Sequence, residues 1–148
     1  MNEIVVAIDP DSIKSAVAIY SENVVELKLL NFFELQDLIV KNKNILVIIE
    51  AGWLNKSNWH KTIGSPAINA EIGRRTGENH QTGKLLLQFC EITFIKHVVV
   101  KPSLKKLNSV DFEKVTGVTF RTNQDIRDAA MLLWRCYKLP REVKWVKK

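Results

Sequence analysis

The chain comprises 148 residues with a mass of 17.0 kDa, a length typical of a single domain that spans residues 1–148. Hydrophobic residues make up 46% and charged residues 26%, the balance of a globular protein, and the two cysteines are too few for a disulfide framework. The net charge of +6 lies entirely in the second half, since residues 1–74 carry a net −2 and residues 75–148 a net +8. This asymmetry favours a polyanionic partner.

The first half of the chain predicts a strand meander followed by a crossover. The apolar runs at residues 3–9, 16–20 and 24–30 indicate three strands, which the short turns between them join into an antiparallel meander. Apolar residues at helical spacing predict a helix over 31–41, and the run at 45–49 predicts a fourth strand that ends at a glutamate. The sheet should therefore combine antiparallel and parallel pairing.

The second half predicts one strand and three helices. Ser65 and Pro66 are a favourable helix start, a capping residue followed by proline at the first helical position. The predicted segments are an exposed loop (51–64), a long helix (66–91), a strand (94–100), a basic loop (101–109), a short helix (110–116), a last helix (125–139) and a basic tail (141–148).

Together these elements predict an α/β fold. A meander followed by strand–helix alternation implies a mixed five-stranded sheet with helices on both faces. The chain starts with MNEIVVAID, where the acidic Glu3 stands in place of the positive charge of a signal peptide. No apolar run approaches the ~18 residues of a membrane helix, so we expect a cytoplasmic protein with no membrane partner.

Four carboxylates have positions that suit a metal site. Asp9 and Glu50 each end an apolar strand, and the ends of strands are where ligand sites gather in open α/β sheets. Asp125 and Asp128 stand three residues apart in the last helix and hence on one face of it. Converging carboxylates repel one another unless cations lie between them, and hard oxygen ligands suit Mg²⁺ or Mn²⁺. Two such ions could hydrolyse a phosphodiester.

Each of these carboxylates also has a purely structural interpretation. Asp9, which precedes Pro10, could be a turn-forming residue, and Glu50 could pair with a nearby lysine. Thr122 and Asp125 match the spacing of a capping box. Asp128 could pair at the surface with an arginine, either Arg121 or Arg127.

The chain resembles the RuvC-type Holliday junction resolvases of the RNase H-like superfamily. The resemblance rests on five stretches spread from residue 5 to residue 134: VVAIDPDSIKSAVAIY, ILVIIEAGW, AEIGRRTGENHQTGKLLLQF, VVVKPSLKK and NQDIRDAAMLLW. The long helix is closer in composition to phage or mobile-element members. The chain departs from the family at Asp11, where the family has a turn glycine, and at Ser15, where it has another glycine.

The resemblance implies an RNase H-like sheet and a metal-dependent endonuclease that cuts four-way DNA junctions as a homodimer. It assigns Asp9, Glu50, Asp125 and Asp128 as the catalytic residues and as ligands of two Mg²⁺ ions, with Mn²⁺ as the substitute ion. The expected reaction is in-line attack of water on phosphorus, which leaves a 5′-phosphate. The glycines of the 66–91 helix favour this helix as the dimer contact, because they allow close approach.

Aromatic and basic residues supply candidate DNA contacts. A tryptophan beside lysines suits stacking on unpaired bases, although it could equally fold back onto the core. The residues predicted to contact DNA are Trp53, Lys56, Lys61, Lys101, Lys105 and Lys106. The lysines of the tail, Lys144, Lys147 and Lys148, are further candidate phosphate contacts of a sequence-independent kind.

Three alternative functions compete with the resolvase. A nucleic-acid-binding module could keep the fold without cleaving. A YqgF-type RNA-processing nuclease shares the fold, but its D-E-R segment and D-x-G turn are not found in this sequence. An actin-like sugar kinase or ATPase needs phosphate-loop glycines and usually two such domains, for which 148 residues are too few.

Overall fold

The computed structural model describes residues 2–55 and 64–148. Within these ranges the strands are β1 (Ile4–Asp9), β2 (Ser15–Ser21), β3 (Val24–Leu30), β4 (Ile45–Glu50), β5 (Lys96–Val100) and β6 (Lys144–Lys147). The helices are α1 (Phe32–Lys41), α2 (Pro66–Ile92), α3 (Ser109–Thr116) and α4 (Gln124–Cys136), and a 3₁₀ turn covers Gly52–Leu54. Among these helices, none combines the length and the apolar character needed to cross a bilayer.

The strands form one mixed sheet in the order β5-β4-β1-β2-β3-β6. β1, β2 and β3 pair as an antiparallel meander, while β4 runs parallel to both β1 and β5. The two-residue turn between β2 and β3 places Glu22 and Asn23 at positive φ, which a tight hairpin turn requires. This arrangement confirms the predicted α/β fold class, a mixed sheet that combines an antiparallel meander with parallel strands.

Helices cover both faces of the sheet. On one face α4 packs Ile126, Ala129 and Leu133 against β1, β2 and β3, and α3 adds the buried Phe112. On the other face α1 and α2 pack, with Leu35 of α1 and Leu86 of α2 among the buried side chains. The two apolar layers hold the sheet rigidly between them, so the strand ends are fixed platforms for functional groups.

The prediction of five strands was wrong by one, because residues 144–147 form β6 and not part of a tail. β6 runs parallel to β3, with Trp145 opposite Val25. Trp145 packs edge-on against Phe112, with ring centroids 6.3 Å apart, and also lies beside Trp134. The flanking lysines concealed this strand in the sequence, since only the two central residues are apolar.

Two predicted boundaries also differ for local reasons. β5 begins at Lys96 and not at residue 94, because Phe94 has a left-handed φ of 55° that no strand accepts. α4 ends at Cys136 and not at 139, since Tyr137 is already extended. The long helix predicted over 66–91 is confirmed as α2, with Ser65 capping the amide of Ile68.

Gly83 of α2 is required by packing. A β-carbon at this position would lie 2.5 Å from Cζ3 of Trp53 and 3.1 Å from Cγ of Pro10. At Gly73 and Gly77 of the same helix, a β-carbon would have no neighbour within 4 Å. Close packing between α2 and the residues that follow β1 and β4 therefore depends on Gly83 alone among these three glycines.

We expect Gly83→Ala to destabilise the protein and Gly77→Ala to stabilise it. Overpacking at Gly83 should lower the free energy of unfolding by about 1–3 kcal/mol. At Gly77 the better helix propensity of alanine should raise that free energy by about 0.5–1 kcal/mol. Urea denaturation of both variants checks the opposite signs, and an equal gain in both would contradict the contact between Gly83 and Trp53.

Candidate metal centre

The ends of β1 and β4 place Asp9 and Glu50 side by side. The two strands run parallel, with Ile8 opposite Ile49, so the residue that follows in each strand lies at the same edge of the sheet. Side chains alternate along a strand, and Ala7 and Ile48 contribute to the core beneath α4. Asp9 and Glu50, two residues further along each strand, therefore point to the α4 side of the sheet.

α4 brings the other two acids to this edge. One carboxylate oxygen from each of Asp9, Asp125 and Asp128 lies within 4.8 Å of the others; we call these three residues the carboxylate cluster. The helix cap is Asn123, whose side chain accepts from the amide of Ile126, so the capping box suggested by Thr122 and Asp125 is not formed. Asp125 is thereby left on the exposed side of the helix start, within the cluster.

Glu50 borders the carboxylate cluster without belonging to it. It shares a cavity of about 160 Å³ with Asp9, and a larger one of about 380 Å³ with Asp128. The larger cavity also carries Arg135, whose charge acts to lower the pKa of Glu50. All four acids therefore lie at one end of the sheet, and the three residues of the carboxylate cluster lie closest together.

Burial and mutual repulsion act strongly on Asp9. Burial raises its pKa to about 8, and the charges of Glu50, Asp128 and Asp125 act in the same direction. Burial and the charge of Asp128 likewise raise the pKa of Glu50. At neutral pH the metal-free cluster therefore favours a proton on Asp9.

Lys106 supplies the positive charge nearest to the cluster. Its ammonium lies 2.5 Å from Oδ2 of Asp128, while the amide of Gln124 donates to Oδ1 of Asp128 at 2.7 Å. Partial burial acts to lower the pKa of Lys106, but the hydrogen bond to Asp128 and the charges of Asp128, Asp9 and Glu50 together outweigh it and raise that pKa. The surface partner suggested for Asp128 is therefore a lysine and neither Arg121 nor Arg127.

The donor set fits a small divalent cation. Its oxygens are carboxylates, the hard ligands that Mg²⁺ and Mn²⁺ prefer, and Mg²⁺ usually binds through one or two carboxylates plus water and substrate phosphate. Burial and then the charges of the neighbouring acids raise the pKa of Asp9, and Lys106 offsets them only in part, so the cluster has a deficit of positive charge. A bound cation would relieve that deficit and displace the proton.

The turn that follows Asp9 is held by Asp11. Its Oδ1 accepts from the amides of Ile13 at 2.8 Å and Lys14 at 3.2 Å, and its own amide donates to the buried Ser15 hydroxyl at 3.0 Å. The backbone of Asp11 does not adopt the left-handed conformation that would call for glycine. Asp11 therefore forms the Asx-type turn that the sequence suggested for Asp9, and the carboxylate of Asp9 lies in the cluster.

The residues predicted to contact DNA differ in their exposure and in their contacts. Trp53 is partly buried against Gly83, and its ring meets His80 at a centroid distance of 6.5 Å. Lys101 and Lys105 are exposed, and Lys106 is in the cluster's ion pair. Lys56 and Lys61 lie outside the described residues.

Gln124 and Arg135 are site residues that sequence reasoning missed. Gln124 also reaches the carbonyl of Leu107 at 3.3 Å, which links the 101–109 loop to α4. Arg135 donates to the carbonyl of Lys101 at 3.3 Å and lines the larger cavity. Spacing supplies a signal only for Gln124, four residues before Asp128 on the same helix face. Arg135 contacts residues that are far from it in sequence, so spacing gives no signal for its place in the site.

We expect metal binding to release a proton from Asp9. Because the pKa of Asp9 is raised to about 8, a cation competes with a proton below that pH. The affinity for Mn²⁺ should rise by about tenfold per pH unit from about pH 6 and level off above about pH 8. Calorimetry in two buffers of different ionisation enthalpy measures the released proton, and an affinity that does not change with pH would contradict this assignment.

Comparison with protein-family models gives no match for this chain, and comparison with curated proteins gives none either. Solved structures that resemble it include T. thermophilus RuvC in complex with a Holliday junction substrate, at 8% identity and a TM-score of 0.47, with 90% of this chain and 96% of that chain covered. Another is the Thermus thermophilus RuvC structure, at 8% identity and a TM-score of 0.41, with 89% and 95% covered. The chemistry of the site is therefore inferred from this chain's own residues.

Proposed function

We propose that the protein is a metal-dependent endonuclease that resolves four-way DNA junctions. The observation that carries this proposal is the meeting of Asp9, Asp125 and Asp128 within 4.8 Å, with Glu50 on the adjoining cavity walls. Carboxylates from two strand ends and one helix suit the binding of two divalent cations against a phosphodiester. The basic second half of the chain supports a polyanionic substrate.

The four acids have different roles in binding the cations. Asp9 and Asp128 would hold the ions, and Glu50 and Asp125 would complete the ligand set. When bound, Mg²⁺ or Mn²⁺ supplies Lewis acidity that activates water and stabilises the leaving oxygen. Asp9 ends β1, whose preceding residues Val5 to Ile8 are fully buried, so the backbone that carries its carboxylate has a fixed place beside the other acids.

Lys106 has two roles in this proposal. Without metal, its ammonium neutralises Asp128. With metal and DNA bound, the same flexible side chain can turn to a phosphate, which its position beside Lys105 on the wall of the larger cavity favours. Trp53, Lys56, Lys61 and Lys101 remain proposed DNA contacts, Trp53 as a residue next to the cleft between β4 and α2.

A second copy of the chain is proposed to pack on the first half of α2. Residues 70–78 are exposed, and Gly73 and Gly77 have open space around them that a partner helix could enter. Two active sites in a homodimer would cut paired strands of a junction. A monomer in sedimentation experiments at micromolar concentration, with and without junction DNA, would contradict this part of the proposal.

The proposal is tested with a labelled immobile four-way junction in Mg²⁺ or Mn²⁺, with a linear duplex and a flap substrate alongside. The expected result is a pair of symmetric nicks on the junction, with a 5′-phosphate at each, and no cutting of the duplex. Cutting of flaps in preference to junctions would keep the nuclease but remove the junction assignment. Tight junction binding without cleavage in either metal would instead support the non-cleaving binding module.

A further inference from the structure

A second concave surface lies at the same end of the sheet as the carboxylate cluster, on the other side of β2. It is a cavity of about 520 Å³ between β3, β6 and the start of α4. Five basic side chains line this cavity, and none of the described lining residues is acidic. We call these five residues the basic corner: Lys14, Lys28, Arg121, Lys147 and Lys148.

The sheet topology assembles the basic corner from distant segments. β6 runs parallel to β3, with Lys147 opposite Leu27, so β6 points toward the edge where β3 ends and ends three residues before Leu30. Because Ser15 pairs with Leu30, that edge is also the one where β1 ends at Asp9. The basic corner and the carboxylate cluster therefore open toward the same side of the molecule.

The pairing of β6 with β3 holds the last lysines of the chain in place beside the cavity. Lys147 donates to the carbonyl of Arg121 at 3.0 Å, which joins the end of the chain to the segment before α4. Lys28 and Lys148 share one carboxylate, Glu26, at 2.5 and 3.2 Å. Five positive charges against that one negative charge leave an excess of four, which an anion in the cavity would offset.

The spacing of the strands gives the distance between the two sites. Neighbouring strands lie ~4.8 Å apart, so β3 and β6 are roughly 10–14 Å from β1. Successive phosphates of one DNA strand lie roughly 7 Å apart, because they wind around the axis as well as rise ~3.4 Å along it, so this distance corresponds to about two nucleotides.

We propose that the basic corner binds the DNA backbone about two phosphates away from the phosphate that is cut. This inference rests on the proposed function. It adds a defined second phosphate site, built by β6, on the opposite side of the carboxylate cluster from the 101–109 loop. Its contacts are with phosphates, so it acts on affinity and on the path of one DNA arm and does not read sequence.

The test compares junction binding by the wild-type protein and by an Arg121→Gln/Lys147→Gln double variant, in EDTA and over a range of salt. The variant should bind at least ~10-fold more weakly near 100 mM salt, and the slope of log affinity against log salt should fall by about two. Lys14→Gln, which lies outside β6, should lower that slope by about one. Lys41→Gln/Lys43→Gln, which precedes β4 at the other end of the sheet, is the matched control and should leave the slope unchanged.

A second experiment locates the phosphate that the basic corner contacts. A neutral methylphosphonate about two positions from the cut site, on one side of it, should weaken binding by the wild type but not by the double variant. Equal binding and equal slopes for wild type and both basic-corner variants would overturn the inference while junction cleavage by the wild type still supports the proposed function. If the wild type neither binds nor cuts the junction, the proposed function itself fails.

Discussion

Asp128→Asn is expected to lower the rate of junction cleavage by about a thousandfold or more, equivalent to ~4 kcal/mol of transition-state stabilisation. Both oxygens of Asp128 face partners, Lys106 on one side and Gln124 on the other, and its side chain is only 9% exposed. Asparagine keeps the shape and one acceptor but removes the negative charge on which cation binding depends. Single-turnover cleavage of the labelled junction measures the effect.

The matched control is Asp111→Asn, which changes an exposed acid at the start of α3. It alters net charge by the same amount as Asp128→Asn and should leave the cleavage rate within about twofold, because exposed ion pairs contribute little. Junction binding by Asp128→Asn in EDTA should be equal to or tighter than that of the wild type, since one repulsive charge is gone. Undiminished cleavage by Asp128→Asn would exclude this residue as a ligand.

Asp9→Asn is expected to make the metal-free protein more stable while abolishing cleavage. Burial and the neighbouring acids raise the pKa of Asp9 from 3.8 to about 8, so the folded state holds its proton more tightly than the unfolded state does. Wild-type stability is therefore lost as the pH rises from the unfolded pKa toward the folded one, and asparagine carries no such penalty. At about pH 8.5 the variant should be more stable by ~1–3 kcal/mol, with the difference vanishing toward about pH 4.

Urea denaturation in EDTA at both pH values measures this difference, and the same experiment with Mn²⁺ separates it from metal binding. Added Mn²⁺ should raise the stability of the wild type by mass action and should raise that of Asp9→Asn by less. A variant that is less stable than the wild type at about pH 8.5 without metal would show that the carboxylate of Asp9 is not strained by its surroundings.

Local patterns in the sequence were sufficient to predict the core of the fold. Continuous apolar runs mark β1 and β4 as buried strands, and the meander turns set the antiparallel pairs. Periodicity predicts that Asp9 and Glu50 each end a strand, while the structure supplies the parallel pairing of β1 with β4 that brings them to one edge. The i, i+3 spacing of Asp125 and Asp128 is similarly local.

Contacts between distant segments could not be predicted in this way. The ion pair of Lys106 with Asp128 joins a loop to a helix, and no periodicity links their positions. The packing of Trp53 on Gly83 depends on how α2 crosses the sheet. β6 was missed because charge dominates its sequence, while the tertiary position of Trp145 determines its pairing.

The most direct test of the central claim, that these carboxylates form a two-metal hydrolytic centre, is a count of Mn²⁺ ions bound to the protein in complex with a junction whose linkages at the cut sites are non-hydrolysable. Electron paramagnetic resonance at about pH 8.5, where Asp9 is largely deprotonated, should give two bound ions per chain in the wild type. Asp9→Asn should bind fewer, and Asp111→Asn should match the wild type. A complex that binds no Mn²⁺, or the same number of ions with and without the Asp9 carboxylate, would contradict the two-metal centre.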